Sequence, residues 1–148
     1  MTAVSDLTPA DAEALTALSR EYEWWADREV ADVRRALHGS DVAVGVEGDD
    51  DLVAAARVLT DYTYYARVFD VIVASDRRGE GLGRELMVAV RDHPNLQSVT
   101  GLSLLCRRGL VSFYESVGFE LFDSEIEFPE GGAEELVRMT YEHESHNS

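Results

Sequence analysis

The chain has 148 residues, 45% of them hydrophobic, with 29 acidic residues against 13 basic ones and a formal net charge of −16. Length and apolar content suit one folded domain with a single core and exclude a disordered chain. The charge argues against a nucleic-acid partner, and no apolar run reaches the roughly 20 residues that span a bilayer. All 13 basic residues are arginine. Two readings of that bias stay open: an acidic surface adapted to molar salt, where the Debye length falls to about 3 Å, or the codon usage of a high-GC genome. The salt-adapted reading is the expectation adopted. The acidic start, "MTAVSDLTPADAEAL", lacks the basic and apolar segments of a secretory signal, so a cytoplasmic protein is expected.

The lone Cys106 cannot form an internal disulfide, and His38, His93, His143 and His146 show no zinc spacing with it. The histidines read as surface residues, and no metal site is expected.

In chain order, Thr8 caps a first helix, Pro9 opens it, and Ala12, Leu15, Leu18 and Tyr22 recur at helical spacing. The chain turns near Trp25 and Asp27. Val30, Val33 and Leu37 continue a second helix, stopped by Gly39. Val42, Val44 and Val46 alternate along a strand, "EGDDD" turns, and a partner runs from Leu52 to Leu59. A third strand spans about Ala66 to Ala74. Its apolar end suits a central strand buried on both faces. Helices fill Gly81 to His93 and Gly109 to Val117. Further strands are expected at "TGLSLLC", near "FELFDSEIEF" and at "LVRMTYE", with a polar tail from about residue 143. The order predicts an α/β domain with a mixed sheet, covering 1–148 as a single domain.

"SDRRGEGLGRELM", from Ser75 to Met87, is the glycine-rich turn between a strand and a helix, a frequent phosphate site. A Walker loop requires a lysine that this chain lacks. The spacing of Gly79, Gly81 and Gly83 fails the dinucleotide fingerprint. Arg78, Gly81 and Gly83 meet R-x-x-G-x-G. Here the sequence resembles the GNAT superfamily of acetyl-CoA-dependent N-acetyltransferases, in which this strand, loop and helix hold the cofactor's pyrophosphate. A second stretch, "LLCRRGLVSFYESVGFE", resembles the family's later motif, with Tyr114, Gly118 and Phe119 in the "FYE-x-x-GF" ending and departures at Arg107 and Leu110.

The resemblance implies a GNAT-like, mostly antiparallel twisted sheet flanked by helices on both faces. It implies acetyl-CoA bound by Arg78, Gly79, Glu80, Gly81, Leu82, Gly83 and Arg84, with Arg77 as a further source of charge. Val71, Ile72 and Val73 would pair by main chain with the pantetheine arm. It implies transfer of the acetyl group to a primary amine, on a small molecule or a peptide, by direct attack in a ternary complex. Tyr114 would protonate the leaving thiolate; packing is its other reading. Asp70, opening the central strand, is the first choice of base and Asp61 the second; either instead orients the acceptor or is solvated. Ping-pong transfer through Cys106 is the less favoured route, since a lone cysteine on an apolar strand is usually core.

The acceptor is left open. Trp24, Trp25, Tyr62, Tyr64 and Tyr65 wall a pocket, belong to the core or contact a second copy in a homodimer. Two other function classes stand beside the enzyme: an acyl-CoA-binding regulatory domain without turnover, and a structural interaction protein.

Overall fold

The computed structural model describes residues 2–122, 125–137 and 139–142. The chain divides into two compact units, Met1–Leu110 and Val111–Ser148.

The first unit holds a five-stranded sheet in the order β1-β2-β3-β4-β5. Its strands are β1 (Ala3–Asp6), β2 (Val42–Glu47), β3 (Leu52–Thr60), β4 (Tyr65–Val73) and β5 (Gly101–Ser103). Neighbours are antiparallel except β4 and β5, which run parallel. A parallel pair requires a crossover, and the chain between them contains α3 (Leu82–Arg91). Two further helices, α1 (Ala12–Ser19) and α2 (Val30–Gly39), precede β2. Val42 to Val46 and Leu52 to Ala56 are buried without a break, so this part of the sheet is covered on both faces.

The helix signals act as their chemistry requires. Thr8 accepts the Ala10 N–H at 3.3 Å while Asp11 accepts the Thr8 N–H at 2.8 Å, a reciprocal capping box ahead of α1. Buried Thr16 donates its hydroxyl to the Ala12 carbonyl at 2.7 Å. In α3, Leu82, Leu86, Met87 and Val90 make one buried stripe. Each contributes roughly 1.5–3 kcal/mol of apolar burial.

Several expectations change. β1 was not anticipated: "AVSD" is short and mostly exposed, and is a strand because it pairs with Val44 to Glu47. His93 is not a surface residue, with a side chain only 10% exposed. Its Nδ1 accepts the Asn95 N–H, so Nε2 holds the proton and donates to Asp6 at 2.8 Å. β4 is not buried on both faces; the unbroken buried runs lie on β2 and β3 instead.

The second unit contains α4 (Val111–Ser116) and a hairpin of β6 (Glu125–Glu127) and β7 (Ala133–Glu135). Gly131 and Gly132 take φ of 98° and 95° in its turn, a region that favours glycine. The strand expected at "LVRMTYE" is displaced: β7 precedes it, and the described residues after Glu135 carry no strand. The tail from about residue 143 lies outside the described residues.

Candidate functional site

The central feature of the first unit is the second half of β4. Phe69 pairs with Arg57 and Ile72 with Ala55, so Asp70 and Val71 together oppose Ala56. Two residues against one is a β-bulge. Asp70 takes φ of 55° there, a conformation that aspartate tolerates better than most residues. β5 pairs with Tyr65 to Arg67 only, leaving the later part of β4 without a strand on that side among the described residues. The Ala74 N–H donates to the Val53 carbonyl at 2.7 Å. By the alternation of an antiparallel ladder, the N–H and carbonyl of Val73 therefore face away from β3, towards that open edge.

Beyond β4 comes a short 3₁₀ turn, Ser75–Arg77, and then the glycine loop. Gly79 and Gly81 both have φ of 83°, and a Cβ built on either meets no atom within 4 Å. Gly81 is the N-cap of α3, and no side chain caps that helix. The first-turn amides of an α-helix have no partners within the helix, and the dipole adds roughly half a positive charge there. Loop and helix start thus present N–H groups at an open, exposed surface. They fit a phosphate group, and the open edge of β4 beside them fits an extended chain.

Arg78 is fixed by a residue that sequence reasoning placed only in the apolar stripe of the first helix. Its guanidinium lies over the Tyr22 ring, 5.2 Å from the centroid, and donates to the Tyr22 hydroxyl. That hydroxyl donates to the Val73 carbonyl at 2.5 Å. Glu21 accepts the Ser75 N–H at 2.8 Å and its hydroxyl at 3.2 Å. The segment after α1 thus holds the end of β4 and the start of the loop. These contacts span 51 to 56 residues of chain, and no local motif announces them.

Arg77, the further source of charge, is aimed at the loop's own Glu80. It pairs with Glu80 at 2.9 Å, and that carboxylate raises its pKa. Leu82 belongs to the core; Arg84 is exposed in the first turn of α3.

Asp70 does not open β4; it is the sixth residue, at the bulge. Its Oδ2 accepts Arg28 Nη1 at 2.9 Å and Arg57 Nε at 2.9 Å, and its Oδ1 accepts Arg28 Nη2 at 3.3 Å. Burial pushes this carboxyl up. The hydrogen bond from Arg28 and the charge of Arg57 outweigh it, and the net result lies below the ordinary carboxylate value. Asp61, the second choice of base, accepts the N–H groups of Tyr65, Thr63 and Tyr64 at 3.0, 2.9 and 2.7 Å, which lower its pKa as well. Both carboxylates are therefore held in the ionised form.

Cys106 is exposed beyond the end of β5, not in the core. Trp24, Tyr62, Tyr64 and Tyr65 are exposed too, which removes their core reading. Trp25 is half-buried, with the Arg28 guanidinium 5.0 Å above its ring.

In the second unit Tyr114 is buried on α4, its ring 5.0 Å from Phe113 and 6.0 Å from Phe119. The helix ends in a Schellman motif. The Phe119 N–H donates to the Tyr114 carbonyl and the Gly118 N–H to the Glu115 carbonyl, both at 3.0 Å, with Gly118 at φ of 101°. The "GF" of the later motif is this cap, and the Phe119–Tyr114 contact is its apolar clasp.

Among the described residues no three His, Cys, Asp or Glu side chains gather as a metal site. No helix among them is long and apolar enough to cross a membrane.

The comparisons with known proteins agree with this geometry. An uncharacterised N-acetyltransferase, ycf52-like, of Prochlorococcus marinus is 33% identical over 101 residues, covering 66% of this chain and 56% of the relative. The chain thus spans about half the length of the curated relatives it matches. A crystal structure from Xanthomonas campestris pv. campestris, described as an acetyltransferase of the GNAT family, superimposes with a TM-score of 0.67 at 33% identity, covering 82% of this chain and 85% of that one. The ribosomal-protein-S18-alanine N-acetyltransferase of Escherichia coli shares the fold, with a TM-score of 0.70 at 18% identity over 90% and 88% of the two chains. These relatives lend no support to the salt-adapted reading, which rests on composition alone. The family model for the acetyltransferase (GNAT) domain matches residues 10–141, and the chain belongs to that family.

Proposed function

We propose that the protein transfers an acetyl group from acetyl-CoA to a primary amine by direct attack in a ternary complex. The observation that carries this is the juxtaposition of an uncapped, glycine-opened helix with the open edge of β4. The match across residues 10–141 runs through both compact units, which supports one working domain.

Acetyl-CoA supplies an activated thioester. Gly79 to Arg84 would hold its pyrophosphate through backbone N–H groups and the α3 dipole, with Arg78 adding charge. Glu80 lies in this loop tied to Arg77 and would contribute through its main chain. Val71, Ile72 and Val73 would align the pantetheine arm along the open edge, and the N–H groups that face that edge, that of Val73 among them, would polarise the thioester carbonyl. Tyr114 would donate a proton to the departing sulfur and recover one from the acylated nitrogen, a role that rests on the family resemblance of "FYESVGF". A phenol of pKa about 10 remains protonated at neutral pH and matches a thiol leaving group.

Asp70 stays in this site with a changed part. A carboxylate gripped by two guanidiniums and held below its ordinary pKa is a poor acceptor for an ammonium proton. We assign it positioning: it fixes the bulge, and with it the edge that receives the thioester. Asp61 is poorly suited to the base role for the same reason. The acceptor must then reach the thioester as a neutral amine.

The test is thiol release from acetyl-CoA across an amine panel, with calorimetry for cofactor binding. Turnover supports the enzyme. Binding without turnover on any amine supports the regulatory acyl-CoA-binding domain. Neither would overturn both.

A further inference from the structure

A cationic cluster at the bulge of β4 carries more than the acetyl-transfer reading uses. Arg28 and Arg57 both hold Asp70, and Arg57 Nη2 lies 2.9 Å from the same Oδ2 that takes Arg28 Nη1. Two positive charges against one negative leave a surplus of one. The adjacent pair, Arg20 with Glu29 at 3.8 Å, cancels itself. Two guanidiniums offer ten N–H donors, while one carboxylate offers about four acceptor sites. Ser40 takes one further donor, from Arg57 Nη1 at 3.2 Å. Donors therefore remain.

The cluster is partly desolvated. The Arg57 and Asp70 side chains are 18% and 17% exposed, whereas that of Arg28 is 34% exposed, so the surplus reaches solvent through Arg28. Each guanidinium lies over an aromatic ring: Arg28 is 5.0 Å from Trp25 and Arg57 5.9 Å from Phe69. A guanidinium over an aromatic ring can still present its remaining N–H groups to a planar or tetrahedral anion. On a chain of net charge −16, two guanidiniums on one carboxylate are a local concentration of positive charge. It also stands beside the reacting segment. Asp70 directly precedes Val71, and residues along a strand advance about 3.3 Å each.

We propose that Arg28 and Arg57 bind an anionic group, carboxylate or phosphate, carried by the amine acceptor itself. The acceptor class is then an amine with a negative charge a few bonds away, and polyamines are disfavoured. The same surplus charge repels an ammonium and favours the neutral amine at the thioester, which answers the want of a free carboxylate base. This inference rests on the acetyl-transfer reading.

The experiment compares matched acceptors at fixed acetyl-CoA: α-amino acids against their carboxamides, O-phosphoethanolamine against ethanolamine, and spermidine as a cationic control. The expected result is a kcat/KM at least tenfold higher for the anionic member of a pair. The amino-acid and phosphate arms tell which anion is used. Arg28→Gln should bring the ratio towards one, and Arg28→Lys should restore part of it. The wild-type ratios decide the matter even where a variant fails to fold. Equal rates for both members, preference for spermidine, or a ratio unaltered in Arg28→Gln would overturn the proposal. So would calorimetric binding of acetyl-CoA with no turnover on any anionic acceptor. Failure to bind or consume acetyl-CoA at all would instead remove the acetyl-transfer reading beneath it.

Discussion

Gly81 and Gly118 have nearly the same backbone conformation, with φ of 83° and 101°, and each adjoins a helix. Their surroundings differ in one respect. Gly118 closes α4, and the groups it exposes are consumed at once: its own N–H and that of Phe119 return to carbonyls of the last turn. Gly81 opens α3, and no side chain caps the amides that follow. A left-handed glycine is thus a neutral device. Where the local hydrogen bonds close on themselves, it ends an element; where they do not, it offers a surface to a ligand.

The largest expected effect tests the closed motif. Tyr114→Phe keeps the ring that Phe119 clasps and removes only the hydroxyl. Steady-state kinetics at matched salt should show kcat lowered on the order of 10²-fold, the usual loss for a general acid, with acetyl-CoA affinity nearly constant. Wild-type turnover would leave Tyr114 as packing only. A parallel fall in affinity would make it a binding residue.

Gly81→Glu tests the open motif. The new side chain places bulk and negative charge over the uncapped amides. Calorimetry should show acetyl-CoA affinity reduced at least tenfold, roughly 1.4 kcal/mol. Unchanged affinity in a folded variant would put the cofactor elsewhere.

Gly118→Ala should do the reverse. A side chain in a left-handed conformation costs about 1–2 kcal/mol, paid here in stability. Denaturant unfolding should register that loss, and acetyl-CoA affinity should stay as in the wild type. A drop in affinity with no change in stability would contradict the division between the two glycines.

What the sequence could reveal follows the range of the forces involved. The helices around Leu15, Leu37 and Leu86 were legible because periodicity and caps are local. The glycine loop was legible because positive φ demands a residue type. β1 was not, since four mostly exposed residues become a strand only by pairing across some 40 positions. The bulge escaped for a related reason: "FDVIV" reads as a continuous strand, and only its register against Arg57 and Ala55 displaces Asp70. Tyr22 looked like one more apolar helix position, yet its hydroxyl meets Val73 and Arg78. Side chains that act by reaching across the fold leave no spacing to read.

Asp70 tests the same division with a full charge, and there the expected effect is smallest because it appears only in acid. Its carboxyl is lowered in the folded protein, chiefly because the guanidiniums of Arg28 and Arg57 overcome the upward push of burial. Through that range the unfolded state binds more protons than the folded one, so stability rises with pH. The stabilisation is complete above the ordinary aspartate pKa of about 3.9 and drains away as pH falls through the folded value beneath it. Subtracting the unfolding free energy of Asp70→Asn from that of the wild type isolates this group from the other acidic side chains. The difference should be level from pH 7 down to about pH 4.5 and then narrow. A difference that instead widens as pH falls from 7 to 5 would mean a raised pKa. That is the property of a poised general base, and it would return Asp70 from positioning to proton transfer.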